Sequence, residues 1–150
     1  MAGAAVRFSV ESLMLEQDAY HELCAYTLAH GDPAFIHQHV VDALAAQQAG
    51  AATKPIAITF ALVGLYLRVE CGWSGRQVQR AHMRLARHKR SWPAFALPDE
   101  RGSITPVDVL AAPAGPARDE AIDAWCASVW SAYAGARPVV DALLRQEGVV

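Results

Sequence analysis

The sequence predicts an all-α fold: a single-domain helical bundle over residues 1–150, with five main helices packed round a central apolar helix at 55–71. Three observations carry this. The stretch PIAITFALVGLYL, residues 55–67, holds no charge, and only Thr59 and Tyr66 bring polar side chains to it. As a helix it rises about 20 Å, short of the roughly 30 Å of a bilayer core, so it reads as a helix buried on most faces. Elsewhere apolar residues recur at spacings of three and four, and no segment has the alternation and turn chemistry of a strand pair. Finally, 150 residues with 53% hydrophobic and 19% charged content suffice for one real core.

Helix one is expected over 9–30, started by Ser9, Glu11 and Ser12 and stopped by Gly31, with residues 1–8 loosely ordered. Met14, Gln17, His21, Cys24 and Leu28 share one stripe of it. His30 falls in its last turn, where a cation suits the helix dipole. Asp32-Pro33 starts helix two as cap and first residue. Its broad apolar face holds Phe35, Ile36, Val40, Ala43 and Leu44, with His39 and Gln47 inside that face and Asp42 at its edge. Thr53-Lys54-Pro55 starts the central helix. Ser74-Gly75-Arg76-Gln77 has the form of a capping box, so helix four begins at Gly75. Pro93 and Pro98 make 91–102 an extended connection, anchored by Trp92, Phe95 and Leu97. Thr105-Pro106-Val107-Asp108 opens a short helix. Helix five covers 117–133, with an apolar face of Ile122, Trp125, Cys126, Val129, Trp130 and Tyr133. A last helix starts at Pro138.

A net charge of −2 gives no global field towards nucleic acid or anionic lipid, so such binding needs a local patch. Cys24, Cys71 and Cys126 are an odd number without C-x-x-C spacing, which argues against disulfides or a zinc ribbon and fits a cytoplasmic protein. The first residues lack the apolar run of a signal peptide. No membrane association is expected. The apolar face of helix five could serve a homodimer.

Two constellations could carry function. In the first, His21 and Cys24 on helix one face His39 and Asp42 on helix two, at similar distances from the turn between them. His21, His39 and Asp42 could supply three ligands to a divalent metal, zinc or iron, leaving a position for water. Gln17, Cys24, Gln47 and His82 would be outer partners. Without metal, His39 oriented by Asp42 would be the catalytic base on a small molecule. The plainer alternative is a hydrogen-bonded core pair that fixes helix register.

The second is the basic helix over 75–90, with Arg76, Arg80, Arg84, Arg87, Lys89 and Arg90. A short turn after another helix, then a capped helix with polar residues at its start, is the pattern of a helix-turn-helix. Against nucleic acid stands a preceding helix too apolar to cross a phosphate backbone. The plainer reading is a solvated face paired with acids such as Asp119, Glu120 and Asp123. The four tryptophans read as core anchors.

The strings YHELCAYTLAHGDPAFIHQHVVDA and SGRQVQRAHMRLAR, with TKPIAITFALVGLYLRVE, WPAFALP and RDEAIDAWCASVW, resemble a bacterial family of small helical proteins, a domain of unknown function. The resemblance covers residues 20 to about 133. It implies a small bacterial protein and no reaction. Members it resembles carry Tyr where Leu44 stands and His where Gln48 stands, so a ligand from position 48 is not available here.

Overall fold

The computed structural model of the chain describes residues 2–29, 34–88 and 91–150, with side chains from Leu15 onward. The described residues form seven α-helices and one 3-10 turn, and no strand. They are α1 (Ala2–Ala29), α2 (His37–Gln47), α3 (Pro55–Val69), α4 (Gly75–His88), α5 (Pro106–Ala111), α6 (Pro116–Ala132) and α7 (Arg137–Gln146), with the 3-10 turn at Ala134–Ala136.

The uncharged stretch becomes α3, and its residues Ile58, Thr59 and 61–67 are all buried. Helices α2, α4, α6 and α7 pack on it. Its two polar side chains are satisfied without water. Thr59 Oγ1 donates back to the Pro55 carbonyl at 2.7 Å, and Tyr66 Oη donates to Asp141 at 2.6 Å. The helix ends at Val69, slightly before position 71, and Gly72 reverses the chain at φ 69°. Arg68 locks this end: its guanidinium holds Asp123 of α6 through two bonds of 2.9 and 2.8 Å and the Trp73 carbonyl at 3.1 Å.

Caps behave as the sequence predicts at two starts. Ser74 and Gln77 bond each other's backbone N–H before α4, and Asp108 accepts the Thr105 N–H before α5. α1 differs, because it extends back to Ala2 through an alanine-rich stretch of high helix propensity. α2 also differs, since it begins only at His37. Phe35 adopts φ 58°, a left-handed conformation a bulky residue rarely takes, and the helix cannot run through it. That turn caps α4 instead. The Ala34 carbonyl accepts the Arg76 N–H at 3.1 Å, and the Arg76 guanidinium lies 4.5 Å over the Phe35 ring. A Cβ on Gly75 would overlap the Phe35 carbonyl, so this docking needs glycine. The predicted features at His30, Gly31, Asp32-Pro33, Lys89 and Arg90 lie outside the described residues.

Leu62, Leu65, Leu85, Ile122, Trp125 and Leu144 are among the fully buried side chains. Each contributes about 1.5–3 kcal/mol through its burial. The α6 face expected to be available for a second copy is used within the chain, for all six of its residues are buried. The connection 91–102 is extended, and Trp92, Phe95 and Leu97 pack half-buried against the core. No helix among the described residues is long and apolar enough to cross a membrane.

Candidate functional site

Counted at about 100° per residue, His39, Asp42, Ala43 and Ala46 fall on one side of α2, with Val40 next to them. All five are buried, and His39 and Asp42 are only 2% and 3% exposed. An acid and an imidazole thus sit inside an otherwise apolar seam between α2, α3 and α6.

Asp42 reaches α3 at Gly64. A Cβ there would overlap the carboxyl group, so the single glycine of the central helix makes the room Asp42 occupies. Gln38, one turn earlier on α2, donates from Nε2 to Asp42 Oδ1 at 3.1 Å. Oδ2 is buried and has no hydrogen-bond partner among the described residues. Burial pushes the Asp42 carboxyl well above the usual range, and the Gln38 bond opposes this only in part.

Among the described residues no hydrogen bond joins His39 to Asp42, whose carboxyl group is turned towards Gly64 and Gln38. The backbone of His39 is held from α6, where the Cys126 thiol donates to its carbonyl at 3.6 Å. Burial first, then the negative charge of Asp123, push that thiol up and keep it protonated.

The other expected members lie elsewhere. His21 and Gln17 are exposed on α1, and Cys24 is half-buried there. His82 is buried, but it belongs to an aromatic stack. Its ring lies 4.9 Å from Phe60 and Nε2 meets the Phe60 carbonyl at 2.8 Å. Desolvation pushes it down to about 4, so it stays neutral. Gln47 accepts the Trp125 indole N–H at 3.1 Å and donates to the Ile104 carbonyl at 2.7 Å, tying the extended connection to the core. The three-ligand metal set of His21, His39 and Asp42 is therefore not assembled: one member faces solvent while two are buried. Among the described residues no group of three His, Cys, Asp or Glu side chains could hold a metal ion.

Gln38, Gly64 and Cys126 complete the Asp42 environment and were not expected. Gln38 was legible, since Gln and Asp four apart on a helix bond readily. Gly64 gave a weaker signal, a lone glycine inside a helix that costs about 1 kcal/mol against alanine.

On α4, Val78, Ala81, His82 and Leu85 face inward, and Arg76, Arg80, Arg84 and Arg87 are exposed. The helix before the turn, α3, is buried from 61 to 67 under α2, α4, α6 and α7.

Neither a curated protein nor a solved structure matches this chain. Residues 17–134 match the family described as "Family of unknown function (DUF5946)", and the chain, a bundle with a buried acid on α2 and an arginine ridge on α4, belongs to that family.

Proposed function

We propose that this chain is a small-molecule-binding helical bundle whose polar anchor is Asp42, with His39 beside it on α2. One observation carries the reading: Asp42 Oδ2 is buried without a partner among the described residues. Leaving a buried polar atom in that state costs about 1–3 kcal/mol. Native cores rarely keep such atoms, and perturbed buried acids cluster at functional sites. Burial favours the neutral acid, which offers one O–H to a ligand acceptor and, in a reacting ligand, a proton. A small molecule fits better than zinc or iron, because the described residues bring one carboxylate to the spot and no set of three ligands.

Ligand-dependent shifts in Tm test this, measured across a small-molecule set on the parent and on Asp42→Asn, with elemental analysis of the tag-free protein alongside. The expected result is a compound class that raises the parent's Tm and leaves the variant's unchanged. Compounds that stabilise both proteins equally would reduce Asp42 to a core residue. Near-stoichiometric metal lost in Asp42→Asn would replace the small molecule with an ion.

A further inference from the structure

The geometry points to a second, independent site: the outward ridge of α4 binds the phosphate backbone of a nucleic-acid duplex. At about 100° per residue, Arg76, Arg80, Arg84 and Arg87 fall within an arc of about 80°. They span roughly 16 Å along the helix, spaced about 4–6 Å apart. The arc lies opposite Val78 and Leu85, which are fully buried.

Nothing among the described residues neutralises this ridge. Two of the three acids expected to pair with it are committed elsewhere, and no ion pair joins Glu120 to it among the described residues. Asp119 accepts the Tyr26 hydroxyl at 2.8 Å, and Asp123 is held by Arg68. Glu70 pairs with Arg137, and Asp141 with Arg145. The ridge arginines make no ion pair among the described residues: Arg76 donates to Gln79 at 2.9 Å and stacks over Phe35, Arg84 lies against Gly148, and Arg87 donates to the Met83 carbonyl at 3.4 Å. The chain has 15 acidic and 13 basic residues, so a face of arginines with no acid partner among the described residues is a local excess against an acidic average.

The residue type and the fold select the partner. Arginine presents a planar fork that matches phosphate with two bonds, and all four positions use it. A basic amphipathic helix can also enter a membrane interface, but that requires a free apolar face, and α4's apolar face is in the core. A rigid row of guanidiniums suits the fixed, dense phosphates of a duplex, and contacts to phosphate carry no sequence information.

Fluorescence anisotropy with short mixed-sequence DNA and RNA duplexes tests the proposal, with phosphatidylserine vesicles as a parallel arm. Binding should be sequence-independent and should weaken as salt rises, with a log–log slope of about −3 to −4 for four phosphate contacts. Arg80→Gln should lower that slope by about 1, and Arg80→Gln/Arg84→Gln by about 2. Ala117→Glu, on α6, makes the same change in net charge as Arg80→Gln and should leave binding almost unchanged. Circular dichroism confirms that the exposed α4 variants remain folded. No duplex binding at low salt, binding that Ala117→Glu weakens as much as Arg80→Gln, or binding to vesicles alone would each overturn the assignment.

Discussion

Helices α2 and α4 both carry ionisable side chains in a stripe, yet they treat those stripes in opposite ways. On α4 the arginines stand opposite the buried side, where His82 is the one ionisable residue among Val78, Ala81 and Leu85. On α2 the ionisable residues His39 and Asp42 lie among Val40, Ala43 and Ala46. The α4 charges are hydrated and cost the fold almost nothing. Burial pushes the α2 acid towards its neutral form, and Gly64 must lack a side chain to admit it. Polar groups on the dry side of a helix are maintained at a cost, whereas those on the wet side are available to a partner.

The largest expected effect breaks the α2 side of this contrast. Gly64→Ala forces a Cβ into the Asp42 carboxyl and should destabilise by about 3 kcal/mol in urea unfolding. Adding Asp42→Ala should recover most of that loss, since the overlap vanishes and alanine is the better helix former. If the double variant is no better than Gly64→Ala alone, the contact is not what fixes glycine there.

Protonation gives the next effect. His82 is lowered from 6.5 to about 4 on folding, so its neutral form is stabilising and its contribution is lost as pH falls from 6.5 through about 4. Full protonation should cost about 3 kcal/mol. His82→Phe should flatten that part of the stability–pH curve. Asp42 has the opposite sign. Its folded value is raised above the ordinary 3.8, so the native state keeps a proton the unfolded chain has released. Stability from this group is full below about 3.8 and declines as pH rises from there. Asp42→Asn mimics the neutral acid, so its stability should match the parent's at acid pH and exceed it by about 1–2 kcal/mol at neutral pH. A parent and variant with parallel curves would show that Asp42 titrates as an ordinary exposed acid.

The smallest effect belongs to α4. Arg80→Gln should change stability by less than about 0.5 kcal/mol, because the residue is exposed and unpaired among the described residues. That near-silence in stability, set beside a changed salt dependence of duplex binding, would sharpen the contrast with α2. A large loss of stability would mean the ridge is part of the fold.

Much of this molecule was written locally. The uncharged run at 55–67 could only be buried, the boxes at Ser74 and Thr105 fixed two helix starts, and the spacing of Val78, Ala81 and Leu85 set the dry side of α4. These features are legible because each depends on residues a few positions apart. The site was legible only in part. His39 and Asp42 could be placed on the inner side of α2 by angle alone, but their partners could not. Whether His21 turns inward depends on how α1 packs against its neighbours, and it faces solvent. That Asp42 meets Gly64 rather than His39, that Asp119 and Asp123 turn to Tyr26 and Arg68, and that Phe35 stops α2 to cap α4 are all long-range outcomes. Helical periodicity tells which side of a helix is dry. Only tertiary packing decides which neighbour's atom meets each polar group there, because that choice is made by chain segments distant in sequence.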